Sequence, residues 1–230
     1  MRFVLATGNP HKLEELRAIL AREGVADRVE LLSLAEVPGG PFPEPAETGR
    51  TFEANAAIKA RAYADATGLP CLADDSGLEV DALAGRPGVI SSHYSTDGVE
   101  TGLSRPERDR LNNERLLRDL DGVPPDQRTA RFVCVMALAW PHSQARRHRP
   151  RAGPPDTPRF FRGAFEGRVG LRGDVPRGPH GFGYDPLFLV APDFRLTSAE
   201  LPPDEKNRLS HRAAAARSLC EFLHTLPGRP

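Results

Sequence analysis

Short apolar runs alternate along this chain with longer stretches whose apolar residues recur every three or four positions. Residues 2–6 are continuously apolar after Arg2 and predict a buried strand. Leu13, Leu16, Ile19 and Leu20 then fall at helical spacing, and Gly24 stops that helix. A strand is expected at 29–32, a helix from about Thr51 to Gly68, and a short strand at 71–73. Residues 105–120 predict a polar helix with Leu111, Leu116, Leu117 and Leu120 inward. The run FVCVMALAW at 132–140 is the best central-strand candidate, 160–169 resumes a strand, and 213–223 is strongly helical. Asp204 or Ser210 could cap the last helices.

Composition narrows the class. The chain has 230 residues, 39% hydrophobic and 27% charged, which fits one large domain or two tightly joined lobes. Its 31 basic and 31 acidic residues balance, which argues against a dedicated nucleic-acid binder. No apolar run reaches the roughly 18–20 residues of a membrane span. The first residues, MRFVLATGNPHK, lack a secretory h-region and cleavage site, so a cytoplasmic location is expected. Cys71, Cys134 and Cys220 sit among apolar neighbours and read as buried thiols. Residues 141–159 hold five prolines and five arginines and read as a flexible, solvated insertion in an otherwise single domain.

The candidate chemistry gathers at a few turns. ETGRTFEANAAIKARAYADATGLPCLADDSGLEVDAL, at 47–83, reads as an acidic turn, a helix, a short strand and a second acidic turn. A helix followed by a returning strand can bring Glu47 back to Asp74 and Asp75, beside Ser76. Such carboxylates are hard oxygen ligands suited to Mg2+, though acidic turn residues also serve simply as turn formers. If both aspartates are extended they point to opposite sides, one into the site and one supporting it. Asn55 and Lys59 share a helix face near these acids, and Lys59 is either a solvated lysine or part of the site. Lys12 lies in the first turn of its helix, where a cation is unfavourable unless an anion such as phosphate is bound; it is either a phosphate ligand or a solvated surface lysine. In PRGPHGFGYDPLFLV, Phe182 and Tyr184 stand in a glycine-rich loop, where an aromatic ring can stack on a base or anchor the loop. Lys206, His211 and Arg212 offer donors near a helix start, for a polyphosphate, a base edge or solvent. P-loop, dinucleotide-fingerprint, G-x-S-x-G and H-E-x-x-H motifs are absent.

Taken together, ATGNPHK at 6–12, ETGRTFEANAAIKA at 47–60, ADDSGLEVDAL at 73–83, PRGPHGFGYDPLF at 176–188 and EKNRLSHRAAA at 205–215 resemble the inosine triphosphate pyrophosphatase family. The resemblance implies an α/β fold: a long mixed central sheet flanked by helices, in two lobes with the active cleft between them. It implies a homodimer that hydrolyses ITP, dITP or XTP to the monophosphate and pyrophosphate with Mg2+. Thr7, Gly8, Asn9, Pro10, His11 and Lys12 resemble the family's phosphate-binding turn. Glu47 and Asp75 resemble its metal-associated acids, Asp75 also its general base, with Asp74, Asn55 and Lys59 supporting. Ser76, Phe182, Gly183, Tyr184, Asp185, Lys206, His211 and Arg212 match its substrate contacts. The 141–159 insertion departs from the pattern, as does His93, where relatives often carry arginine. A Mg2+-dependent phosphomonoesterase and a non-catalytic nucleotide-binding module are the competing expectations.

Overall fold

A computed structural model of the chain describes residues 1–7, 10–142 and 157–226, without the side chains of Pro10 and His11. Most of the expected insertion, residues 143–156, lies outside the described residues, as do Gly8 and Asn9.

The described residues form a six-stranded mixed sheet and five α-helices. The strands are β1 (Arg2–Leu5), β2 (Glu30–Ser33), β3 (Cys71–Val80), β4 (Thr129–Ala139), β5 (Arg159–Val169) and β6 (Phe188–Val190), in the order β2-β1-β3-β4-β5-β6. β1 runs parallel to β2 and β3, whereas β5 and β6 are antiparallel. The helices are α1 (Pro10–Arg22), α2 (Phe52–Thr67), α3 (Arg105–Asp119), α4 (Pro203–Leu209) and α5 (His211–Thr225).

Local chemistry explains the best-defined element. Thr51 caps α2 by accepting the Ala54 N–H at 3.1 Å, and Gly68 ends it in the left-handed region with φ 68°. Two other expectations shift. Asp204 lies inside the first turn of α4, with Pro202 before it as the cap. On α3 the buried positions are Asn112, Leu116 and Leu117, and Leu111 is only half-buried.

One expectation is overturned. Asp74 and Asp75 do not sit in a turn; they lie within the ten-residue strand β3, which continues to Val80. Aspartate, serine and glycine favour turns in isolation. Here β3 lies between β1 and β4, and its place in the sheet overrides that local preference.

The chain divides into two compact units. One comprises Met1–Asp75, Cys134–Gly163 and the chain from Arg212 on; the other comprises Ser76–Val133 and Ala164–His211. The first has a core of Phe3, Leu5, Leu16, Leu72, Leu138, Leu219 and their neighbours. The second is built on Leu78, Tyr94, Leu116, Leu120, Leu187 and Phe188. The cysteines are buried and free, as expected, and burial pushes the thiol of Cys71 up to about 12.

Candidate active site

In the first unit, two consecutive residues of β3 address different helices, as strand alternation requires. Asp74 is buried and accepts both hydrogen bonds from the Lys12 ammonium, at 2.9 and 2.8 Å. The Arg212 guanidinium, from the start of α5, stands 3.5 Å from the same carboxylate and 3.4 Å from Glu15. Burial works to raise the Asp74 carboxyl, but Lys12 and Arg212 outweigh it and hold the group well below the ordinary carboxylate range. Asp74 thus offsets the unfavourable placement of Lys12 in the first turn of α1. The Arg212 Nε is buried and has no partner among the described residues.

Asp75 faces α2. The Asn55 side-chain amide donates to Asp75 Oδ2 at 3.1 Å, while its oxygen accepts the Gly49 N–H at 2.8 Å. Lys59, one helical turn on, places its ammonium 3.0 Å from Glu47 Oε1 and 3.8 Å from Asp75 Oδ1. Glu47 and Asp75, roughly 90–100 Å of fully extended chain apart, therefore converge on one cation. Gly49 makes the convergence possible: a Cβ there would lie 2.6 Å from both Ala54 Cβ and Asn55 Oδ1. Thr7 follows β1, and Pro10 and His11 open α1.

Ser76 follows Asp75 on β3, half-buried, as the first residue of the second unit. That unit also holds the aromatic loop. The Phe182 ring is 58% exposed, with the guanidinium of Arg105 4.6 Å and the ammonium of Lys206 5.1 Å from its centroid. Tyr184 turns the other way, buried, and its hydroxyl donates to the Ser91 carbonyl at 2.7 Å. Asp185 is 4% exposed; it accepts from the Phe182 N–H at 2.8 Å, from the Ser198 hydroxyl at 2.9 Å and from Lys206. Asp185 thus anchors the loop that displays Phe182. Gly183 adopts φ 60°, and both its peptide groups are held by α3: its N–H donates to Asp109 at 2.9 Å and its carbonyl accepts from Asn113 at 3.0 Å. His211 stacks on Phe132 with centroids 5.4 Å apart. His93 lies 2.7 Å from Glu100 and 3.1 Å from Arg108.

The sequence reading missed Gly49, Arg105, Asp109 and Asn113. The last three recur at i, i+4 and i+8 on α3, a spacing visible in the sequence without its target.

The fold is that of an α/β protein, and comparison with known proteins supplies the family. The Ham1 family model matches residues 3–222, and the chain belongs to this family. A dITP/XTP pyrophosphatase of Nitratidesulfovibrio vulgaris is 48% identical over 95% of this chain and 94% of its own length. One of Frankia alni is 49% identical over 97% of each chain. Among solved structures, a HAM1 protein from Coxiella burnetii superposes with a TM-score of 0.79 at 36% identity, covering 98% of this chain and all of that one. A structure from Mycobacterium abscessus, described as a nucleoside-triphosphatase or dITP/XTP pyrophosphatase, gives 0.71 at 39% identity, covering 97% of this chain and 100% of that one.

Proposed function

We propose that this protein hydrolyses deaminated purine nucleoside triphosphates (dITP, ITP and XTP) between the α and β phosphates, releasing monophosphate and pyrophosphate with the help of Mg2+. The coarser statement rests on kinship: the chain is a nucleoside triphosphate pyrophosphatase, a hydrolase of nucleotide metabolism, matched almost end to end by relatives of that name. The finer reading is carried by the meeting of Glu47 and Asp75 at the Lys59 ammonium, a place built to share one cation between two carboxylates.

Mg2+ is commonly held by one or two carboxylates together with substrate phosphates and water. Glu47 and Asp75 fit that demand. When bound, such an ion would neutralise phosphate charge and acidify a coordinated water. Lys12 and the backbone amides of the first turn of α1 would take the leaving pyrophosphate. Asp75, aimed by Asn55, would accept the proton of the attacking water.

The exposed Phe182 ring would stack on the purine, with Lys206 beside it. Arg212 and the backbone near His211 would offer donors to the 6-carbonyl of inosine or xanthosine. Adenine would set an amino group against a donor, and an unpaired buried polar group costs about 1–3 kcal/mol. The same proposal includes a homodimer in the cytoplasm; among the described residues no helix is long and apolar enough to cross a membrane.

The test is product analysis with ITP, GTP and ATP in the presence of Mg2+. Pyrophosphate from ITP and slow turnover of ATP are expected. Orthophosphate as the first product would point to a phosphomonoesterase, and equal rates with ITP and ATP would remove the selectivity.

A further inference from the structure

The second unit contains a device that none of the residues assigned above explains. α3 carries Arg105, Asp109 and Asn113 at successive i, i+4 positions, which share one face of a helix. All three touch the same two residues of the aromatic loop. Arg105 lies over the Phe182 ring, Asp109 takes the Gly183 N–H, and Asn113 gives a hydrogen bond to the Gly183 carbonyl. The other oxygen-bearing end of Asn113, Oδ1, is buried with no partner among the described residues, so its described side-chain bonding is spent on Gly183.

The loop needs this splint. Gly183 sits at φ 60°, where an L residue is strained, and it immediately follows a large apolar ring that is mostly exposed. Nothing in the hydrophobic effect holds an exposed ring in place. Its orientation must come from the backbone that carries it. Asp185 fixes the Phe182 N–H from within the loop, and α3 fixes the two peptide groups that flank the Gly183 Cα. α3 is itself anchored elsewhere: Asn112 accepts the Ser95 N–H at 2.7 Å, and Arg115 donates to the Tyr94 carbonyl at 2.6 Å. The helix therefore offers the loop a rigid support, and preorganisation of this kind raises affinity by removing the ordering penalty of binding.

We propose that the Asp109–Gly183–Asn113 clamp, with Arg105 on the Phe182 ring, is the positioning device that sets affinity for the base of the bound nucleotide. That the ring receives a base rests on the functional reading above; the clamp does not. The clamp acts on base recognition and leaves the phosphate chemistry alone.

The experiment compares wild type with Asp109→Ala, Asn113→Ala, Arg105→Ala and the conservative Asp109→Asn, whose amide oxygen can still accept the Gly183 N–H. Amide hydrogen exchange at Gly183 is measured in the free protein. KM and kcat are measured with ITP, and inhibition with inorganic tripolyphosphate, which has no base. Asp109→Ala should speed exchange at Gly183 and raise KM for ITP about 10-fold while kcat stays within about 2-fold, with Asp109→Asn largely restoring both. Asn113→Ala should act in the same direction, and Arg105→Ala should raise KM about 3-fold, in line with an exposed cation–π contact. Inhibition by tripolyphosphate should not change. Unaltered exchange and KM in both Asp109→Ala and Asn113→Ala would overturn the proposal, as would equal losses toward ITP and tripolyphosphate. Failure of the wild type to turn over ITP would sink the activity instead; the exchange rates and equilibrium binding of ITP then decide the clamp by the same criteria.

Discussion

Asn55 binds Asp75 with one end of its amide and the Gly49 backbone with the other, at 3.1 and 2.8 Å. One buried side chain thus ties the loop bearing Glu47 to the strand bearing Asp75. Asn55→Ala leaves Asp75 without its amide donor and the Gly49 N–H without its acceptor. Partners of this kind, one step removed from the chemistry, are worth about 10–100-fold in activity or metal affinity. The expected result is a fall in kcat of that size with ITP. Wild-type kcat in a folded Asn55→Ala protein would show that the tie does not serve the reaction.

Asp75 itself should separate chemistry from folding. Asp75→Asn keeps an oxygen for the Asn55 amide to meet, so the thermal transition should stay near that of wild type. Turnover should fall by about 100- to 10,000-fold if Asp75 takes the water proton. Steady-state hydrolysis of ITP beside a melting curve checks both halves. Near-full activity in this variant would take Asp75 out of the mechanism.

Gly49 tests the geometry from the other side. A methyl group there meets Ala54 Cβ and Asn55 Oδ1 at 2.6 Å and the Asn55 nitrogen at 2.9 Å. Either the start of α2 or the Glu47 loop has to move. Overpacking of this sort costs about 1–3 kcal/mol, or several degrees of Tm at this chain length. Gly49→Ala should therefore lower both Tm and activity, whereas Gly39→Ala, strained at φ 98° but with nothing within 4 Å of its Cβ, should lower Tm and leave activity intact.

These contacts show why part of the molecule was legible in advance. α2 could be bounded almost to the residue because its signals are local: Thr51 at one end, Gly68 at the other. Sequence alone ends β3 at Ala73 because Asp74, Asp75, Ser76 and Gly77 carry turn chemistry, and only the strand's place in the sheet reverses that. The candidate acids can be named as a set, with Asn55 and Lys59 beside them, but not the longer-range pairings. Lys12 meets Asp74 across 62 positions, and Asp109 meets Gly183 across 74, separations at which residue type alone carries no pairing information. The polar face of α3 was visible as a stripe; its work on the Phe182 loop was not.

The Lys12–Asp74 pair predicts a pH dependence of stability. The folded-state pKa of Asp74 lies below its ordinary value of 3.8, despite burial, because of Lys12 and Arg212. A depressed carboxylate stabilises the fold above the unfolded pKa and loses that contribution as pH falls through the folded one. Asp74→Asn leaves two cations facing a neutral amide, and breaking a buried pair in this way costs about 3–5 kcal/mol. The loss relative to wild type should be full at pH 7 and shrink as pH drops below about 4, as urea titrations at several pH values would register. A loss independent of pH would mean that shape, and not charge, is what Asp74 contributes.

Lys59 offers a test of the metal proposal that needs no substrate. Its ammonium is the cation now shared by Glu47 and Asp75. Replacing it by methionine keeps most of the apolar stem and removes the charge that the two carboxylates share. In chelator, Lys59→Met should melt below wild type. A ligand that binds only the folded state stabilises by RT ln(1 + [L]/Kd), about 2.7 kcal/mol at a hundred times Kd. If Mg2+ and the ammonium compete for the same carboxylates, added Mg2+ should raise the Tm of Lys59→Met more than that of wild type. Removing Glu47 as well, as Glu47→Gln in the same chain, should abolish the extra rise. Equal responses to Mg2+ in all three proteins would mean that the ion, if bound at all, is held somewhere other than between Glu47 and Asp75.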